Sequence, residues 1–201
     1  DGAVCNVTFK SQVHNKPCLE LLFDDGAEIT CDEDHRWVLA DGRVVEARTL
    51  VVGDHVPLCA SAQQPNAPLP VDPYVLGVWL ADGKHTSGEI TKPDAGIWEE
   101  IQRRGYVLGK QNSDGRCRVQ TVLGLSAKLQ ALGVHGNKHI PVAYMHASTA
   151  QRLDLLRGIM DGDGYANPLR QQAVLNTTDV AFAEQVAELV ASLGERPYIT
   201  E

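Results

Sequence analysis

The chain has 201 residues, enough for one large domain or two small ones, and its apolar content of 43% excludes a disordered chain. No apolar run approaches the roughly 20 residues that a membrane-spanning helix needs, and the basic and apolar start of a signal peptide is missing. Because the first residue is Asp1 and not methionine, we interpret the chain as a processed product or an excised piece.

The formal net charge of −8 is unevenly distributed along the chain. Residues 1–60 carry 11 acidic and 5 basic side chains, whereas residues 84–157 carry 6 acidic and 11 basic ones. The middle of the chain is therefore basic enough to meet phosphates, although ordinary solvated faces produce the same balance.

Five cysteines are scattered over the first 117 residues, and none forms a C-x-x-C pair. This pattern indicates neither a zinc site nor a redox motif, and it suits a reducing, intracellular (cytoplasmic) setting. Cys5 lies inside a strand-like run, so we expect it to belong to the core.

Residues 1–60 have an all-β pattern and form the first predicted domain. Asp-Gly pairs at 25–26 and 41–42 predict hairpin turns, because this dipeptide adopts the required backbone angles at low cost. No convincing amphipathic helix occurs before residue 72. The strand-like runs are residues 4–9, 18–23, 28–31 and 37–39.

Residues 61–72 are small, polar and proline-rich, which predicts a linker or domain boundary. The pattern then changes to helices, with Pro73 in a first turn, Asp94 as a cap and Gly194 at an end. A hairpin is predicted over 106–122, with its tip at Asn112-Ser113-Asp114-Gly115. The predicted helices are 74–81, 94–104, 126–132, 149–160 and 179–193.

Two segments of the chain resemble each other, VLGVWLADG at 75–83 and LLRGIMDGDG at 155–164. Their acidic residues, Asp82 and Asp163, are separated by 81 positions in the sequence, and a capped helix follows each segment. A unit used twice predicts a pseudo-twofold body. The copies are repeat one over 73–149 and repeat two over 150–201, together forming the predicted domain 73–201.

Each copy carries two small residues four positions apart, so that they share one helix face and let two backbones approach closely. Helices packed through these faces would bring Asp82 and Asp163 together at their ends. Two adjacent carboxylates need a cation or a proton between them, which suits Mg²⁺ as a hard, oxygen-preferring ion. The small residues are Gly77 and Ala81 in the first copy and Gly158 and Gly162 in the second.

The two segments resemble the paired signature motifs of the LAGLIDADG homing endonucleases, and Lys138-His139-Ile140-Pro141 resembles that family's K-x-I-P block. GAEITCDEDHRWVL at 26–39 and ARTLVVGDHVPL at 47–58 resemble the second conserved block of inteins and the stretch after it. These resemblances cover most of residues 20–201. They imply an α+β, pseudo-twofold LAGLIDADG endonuclease fold with a truncated second repeat, preceded by a partial all-β Hint (splicing) domain.

The resemblance also implies the roles of three residues. Asp82 and Asp163 correspond to the acidic residues that bind the catalytic Mg²⁺ or Mn²⁺ ion, and Lys138 would stabilise charge that develops in the transition state. The implied reaction is attack of a metal-activated water on a phosphodiester of double-stranded DNA with a long recognition site. Asp161 has Leu80 as its counterpart, so we interpret it as structural or supporting.

The family holds its DNA with twisted sheets in the major groove and cuts across the minor groove. The resemblance therefore implies that polar side chains of the predicted sheets contact DNA. Candidates for reading base edges are Gln111, Asn112 and Gln120. The basic candidates are Lys84, Lys92, Lys110, Arg116, Arg118 and Arg170.

In the intein block, T-x-x-H supplies a histidine that helps to activate the first splice-site peptide bond. Here Asp32 replaces the threonine and His35 is the matching histidine. The sequence has neither a nucleophile at residue 1 nor a terminal His-Asn, so this chain alone is not expected to splice. The implied partners are the remaining intein and extein segments of the host protein.

Only 38 residues follow Asp163, about half of what a second endonuclease repeat needs. Three functions therefore stay open. The chain is a catalytically active endonuclease specific for one DNA site, a catalytically inactive DNA-binding module, or a structural insertion that holds two splicing halves together. Because both signature aspartates are intact, we favour the endonuclease.

Overall fold

The computed structural model describes residues 5–58, 61, 63–113 and 118–200. These residues form two compact units, one within Val4–Ala60 and one within Ser61–Glu201, and the chain is of mixed α+β class. Among the described helices, none combines the length and the apolar character that crossing a membrane requires.

The first unit contains two antiparallel hairpins and a short 3-10 helix, Ala47–Thr49. Both predicted Asp-Gly turns are confirmed, since Gly26 and Gly42 have φ angles of +83° and +85°. In each turn an aspartate side chain accepts a backbone hydrogen bond of 3.0 Å from the residue two positions on. The strands are β1 (Cys18–Leu22) paired with β2 (Glu28–Asp32), and β3 (Arg36–Val38) paired with β4 (Val44–Glu46).

The predicted strand at residues 4–9 is wrong over its described part, and so is the placement of Cys5 in the core. Residues 5–9 form no strand, and the side chains of Cys5 and Phe9 are exposed, Phe9 to 82%. An alternating apolar run becomes a strand only where a partner strand and a buried face receive it. Among the described residues of this unit, no strand pairs with this run.

The second unit confirms the five predicted helices to within a few residues, and it adds a short helix and three strands that the sequence pattern did not reveal. Asp94 accepts from the Gly96 amide at 2.7 Å, and Asp179 caps its helix by accepting from the Phe182 amide at 3.1 Å. The elements are α1 (Pro73–Asp82), β5 (Glu89–Thr91), α2 (Ala95–Arg103), β6 (Leu108–Ser113), β7 (Arg118–Val122), α3 (Leu125–Ala131), α4 (Val142–Met145), α5 (Thr149–Asp163), β8 (Gly164–Asn167), β9 (Gln172–Leu175) and α6 (Val180–Ser192).

Strands β5, β7 and β6 form an antiparallel sheet in that spatial order, and β8 and β9 form a separate hairpin. Opposite residues of antiparallel strands point to the same face. Ile90, which is fully buried, lies opposite Gln120, and Gln120 lies opposite Gln111. The other face therefore carries the next residues along each strand, which are Thr91, Val119 and Asn112.

Helices α1 and α5 pack through their small-residue faces, as the sequence predicts. A Cβ added at Gly77 would lie 2.3 Å from the Leu155 carbonyl oxygen, and one at Gly158 would lie 2.1 Å from the Tyr74 carbonyl oxygen. Only glycine permits backbones at this distance. Residues 73–80 of α1 are buried on all sides, so this helix pair is the centre of the unit.

The proline-rich segment, predicted as a linker or domain boundary, contacts the second unit. Gln151 on α5 bonds both backbone groups of Ala67, accepting from its amide at 2.8 Å and donating to its carbonyl at 2.7 Å. The Tyr144 hydroxyl does the same for Val71, which is fully buried. Residues 63–72 are thus part of the second unit, because side chains satisfy a backbone that forms no secondary structure.

Arg104, just after α2, ties three parts of the unit together. One of its nitrogens, Nη1, lies 3.0 Å from an oxygen of Asp72, which caps α1, and 3.0 Å from an oxygen of Asp154 on α5. Its Nε donates to Glu100 at 2.7 Å. Burial would raise the pKa of Asp154, but the hydrogen bond and the charge of Arg104 lower it below its usual value.

Replacing Arg104 by methionine is expected to cost about 1–3 kcal/mol of unfolding free energy at pH 7, because partly buried carboxylates lose their cation. The lowered pKa of Asp154 gives stability that is present above the unfolded pKa near 4 and is lost as pH falls through the folded pKa. The difference between wild type and variant should therefore shrink below about pH 4. Denaturant unfolding at pH 7 and pH 3 measures it.

The matched control for that variant is Arg103→Met. The Arg103 side chain is 74% exposed and pairs with Glu100 at the surface. Exposed pairs contribute little, so this variant should unfold like the wild type at both pH values. Equal losses of unfolding free energy in Arg103→Met and Arg104→Met would contradict a special role of Arg104.

Candidate active site

Asp82 and Asp163 are the last residues of α1 and α5, at the same end of the packed helix pair. Gly162 makes this convergence possible. A Cβ at Gly162 would lie 2.2 Å from the Ala81 Cβ and 3.3 Å from Asp82 Oδ2. The carboxylates therefore meet beside the carbonyl ends of two helices, where the helix dipoles add negative potential.

The negative charges of Asp82 and Asp163 repel each other. Burial raises the pKa of Asp163, and the charge of Asp82 raises it further, while Lys92 and Lys138 act in the opposite direction. Oδ2 of Asp82 is buried and accepts no hydrogen bond from the described residues. It does lie 2.8 Å from Lys92 Nζ, so this contact is an ion pair whose angles do not suit a hydrogen bond.

Lys138 completes the cluster. Its Nζ donates to the Ala81 carbonyl oxygen at 3.4 Å and lies 5.1 Å from the centre of the Trp79 ring. Burial lowers the pKa of Lys138, while the charges of Asp163 and Asp82 raise it. The structure thus brings the three predicted catalytic residues together, and their catalytic role stays a prediction.

The structure places Lys92 in the same cluster and not on a DNA-facing surface. Its side chain is only 17% exposed, and Nζ donates to the Gly162 carbonyl oxygen at 2.5 Å in addition to its contact with Asp82. The backbone fixes this position, because the Lys92 amide donates to the Arg118 carbonyl at 2.9 Å and its carbonyl accepts from the Trp98 indole at 3.1 Å.

The donor set at the helix ends fits a hard divalent cation. It consists of two carboxylates and the backbone carbonyls of Ala81 and Gly162, all oxygen atoms, which Mg²⁺ prefers. Within the described ranges, no group of three or more histidine, cysteine, aspartate or glutamate side chains converges. An ion held by two side-chain carboxylates would need further oxygen ligands, from carbonyls, water or substrate phosphate.

Apart from Lys92, the predicted DNA-contact residues fall into three groups. Arg118 and Gln120 are tied to each other, with the guanidinium donating to the amide oxygen at 2.7 Å, and Gln120 is buried and donates to the Gly109 carbonyl at 2.6 Å. Their polar groups are used internally, which corrects the expectation that Gln120 reads a base. Arg116 lies outside the described residues. The exposed candidates are Lys84, Lys110, Gln111, Asn112 and Arg170.

Two polar residues on the outer sheet face were missed by the sequence analysis. Thr91 is exposed and lies next to Ile90 on β5, and Thr121 is half-buried on β7 opposite Glu89. The alternation of a buried Ile90 with polar neighbours was the available signal, because successive strand residues point to opposite faces. These threonines join Asn112 and Lys110 as candidates for contacting a groove.

Asp161 has a structural contact, since the buried Tyr74 hydroxyl donates to it at 2.8 Å. In the first unit, Asp32 and His35 share one turn after β2. The Asp32 side chain accepts from the Asp34 amide at 3.0 Å, and the His35 amide donates to the Asp32 carbonyl at 3.0 Å. The His35 ring lies edge-on to Trp37, with ring centres 5.5 Å apart.

Comparison with known proteins finds a likeness in the part of the chain that supplies Asp163. A family model described as a LAGLIDADG-like domain matches residues 150–201. The chain is also 30% identical over 231 aligned positions to a protein of Mycobacterium intracellulare named replicative DNA helicase DnaB. That alignment covers 98% of this chain and 38% of the relative, so the chain spans well under half of the relative's length.

Proposed function

We propose that the second unit is the endonuclease domain of an intein and hydrolyses both strands of DNA at a long, specific site with Mg²⁺ or Mn²⁺. The observation that carries the proposal is the convergence of Asp82, Asp163 and Lys138 at the ends of two closely packed helices. LAGLIDADG-type domains are in general DNA endonucleases that use divalent metal, which supports the same reaction. A pseudo-twofold arrangement of the two repeats belongs to this proposal.

The residues of the site have different roles in the proposed reaction. Asp82 and Asp163 would hold the divalent ion, which supplies a more acidic water and compensates charge on the phosphate oxygens. The ammonium of Lys138, held over Trp79, would stabilise negative charge on the phosphate as it develops. The polar outer face of the sheet β5-β7-β6 would position the DNA.

Replacing Lys138 by methionine is expected to slow cleavage by about 10²–10³-fold, because a preorganised cation is lost where charge develops. DNA binding should stay within a few-fold of wild type. Single-turnover cleavage and equilibrium binding, measured on the same DNA, separate the two effects. Lys128→Met on α3 is the matched control, since Lys128 stacks on Tyr106, whose hydroxyl accepts from the Asp72 amide at the opposite end of α1 from Asp82, and its loss should leave cleavage intact.

The comparison also suggests the host. A chain that aligns along 98% of its length to only 38% of a DnaB helicase suits an intein carried within a host of that kind. We propose that the first unit is part of a Hint-type splicing domain, in which His35 occupies the block position described above. The setting would be intracellular, together with the host DNA and the remaining intein and extein segments.

Cleavage of DNA from a DnaB gene that lacks the insertion tests the proposal. Wild-type protein with Mg²⁺ should produce double-strand cuts at the insertion site, whereas excess chelator, or the same DNA interrupted at that site, should give none. Tight, salt-dependent binding without cutting would indicate an inactive DNA-binding module. If the protein neither cuts nor binds this DNA, the result would indicate a structural insertion.

A further inference from the structure

Lys92 was expected to contact DNA, yet its ammonium is committed to the carboxylate pair. It lies 2.8 Å from Asp82 Oδ2 and 2.5 Å from the Gly162 carbonyl oxygen. These two oxygens belong to different helices, α1 and α5, and both are part of the oxygen set that suits a divalent ion.

The position of this ammonium is built into the fold. The backbone of Lys92 is held on one side by the Arg118 carbonyl and on the other by the indole of Trp98, which is fully buried. The two oxygens are held close together, because a Cβ at Gly162 would lie 2.2 Å from the Ala81 Cβ and 3.3 Å from Asp82 Oδ2. A fixed backbone and a short, part-buried contact distinguish this pair from a surface ion pair, whose partners exchange freely with water.

We propose that the Lys92 ammonium occupies the cation position between Asp82 and Gly162 in the DNA-free protein, so that a divalent ion must displace it to enter. The inference rests on the proposed metal dependence. An ammonium and a divalent ion at the same oxygens repel each other strongly, so the two compete for this position. Lys92 is therefore a positioning residue that opposes metal binding until the ammonium is drawn elsewhere, for which a DNA phosphate is the suitable anion.

The first measurement is metal affinity without DNA. Mn²⁺ titrations of the full chain by calorimetry should show that Lys92→Met binds about tenfold more tightly than wild type, since the competing charge is gone. Lys128→Met, which removes one lysine charge at a distance, should bind like the wild type. Asp82→Asn should lose binding in both the wild-type and the Lys92→Met background.

The second measurement uses wild-type protein and needs no variant to fold. Lysine acetylation read by mass spectrometry should find Lys92 protected without metal and labelled faster with saturating Ca²⁺, whereas Lys128 should not change. A general charge effect would alter affinity but would leave the labelling of Lys92 where it was.

The outcomes separate this inference from the proposed function. If metal binds, but the labelling of Lys92 is unchanged and Lys92→Met has wild-type affinity, the displacement is wrong and the metal-dependent nuclease stands. If neither wild type nor Lys92→Met binds a divalent ion, both the displacement and the metal site are wrong. Tighter binding by Lys92→Met, together with metal-dependent labelling of Lys92, would establish the exchange.

Discussion

Replacing both Asp82 and Asp163 by asparagine is expected to reduce double-strand cleavage by more than about 10³-fold, because the charges that would hold the metal are removed from a site built to concentrate them. The fold should survive. Burial and the charge of Asp82 raise the pKa of Asp163, so the neutral side chains relieve a repulsion, and this offsets part of the about 1–3 kcal/mol lost with the Lys92–Asp82 ion pair. Cleavage kinetics and thermal unfolding of the same preparation measure the two results.

Asp161→Asn is the control for that variant. Asp161 lies one residue before Gly162, so the substitution removes one negative charge from the same end of α5. An asparagine oxygen can still accept from the Tyr74 hydroxyl, which lies 2.8 Å from the Asp161 side chain. Cleavage should therefore stay within a few-fold of wild type. A loss as large as that of the double variant would mean that net charge at the helix ends matters and that the identity of the two signature residues does not.

The helix pair at the centre of the second unit was predictable because its cause is local. Gly77 and Gly158 stand on faces that a period of 3.6 residues reveals, and Asp94 and Asp179 are the polar residues that helix starts require. From these features the sequence predicts which helices form, which faces approach and which two carboxylates arrive together. A hairpin signal such as Asp25-Gly26 is equally local.

The side chains that decide the chemistry around the carboxylates were not predictable in the same way. Lys92 was predicted as a basic residue that contacts DNA, yet the pairing of β5 with β7 turns its side chain towards Asp82. Gln120 reads as a polar strand residue, but it faces the core and pairs with Arg118. Both positions depend on which strands pair, and strand pairing joins residues far apart in sequence.

The burial of charged side chains was not predictable from the sequence either, because it also depends on contacts between distant residues. Arg152 is 1% exposed, with Nε donating to the Ala147 carbonyl oxygen at 3.0 Å and Nη1 donating to the Ser192 carbonyl oxygen. A sequence pattern places an arginine on a helix but does not show which carbonyls will surround it. Such groups are buried only when their donors are satisfied, and this depends on the finished fold.

The contact between α1 and α5 links the stability of the unit to its proposed activity. At Gly158 an added Cβ would lie 2.1 Å from the Tyr74 carbonyl oxygen and 2.9 Å from the Val78 amide nitrogen. Both neighbours are backbone atoms of a helix, so no side chain can rotate away. Relief requires the helices to separate, and separation moves Asp82 away from Asp163.

Gly158→Ala is therefore expected to destabilise the second unit by more than about 3 kcal/mol. The melting temperature should fall by roughly 10 °C in differential scanning calorimetry. Gly96→Ala is the matched control, because the added Cβ would meet only an oxygen of Asp94, at 3.2 Å, and alanine favours the helix, so stability should stay within about 1 kcal/mol of wild type. If Gly158→Ala has the same melting temperature as Gly96→Ala, the helices can separate without loss of unfolding free energy. Metal binding that weakens in Gly158→Ala even below its melting temperature would show that the helix spacing itself holds the two carboxylates together.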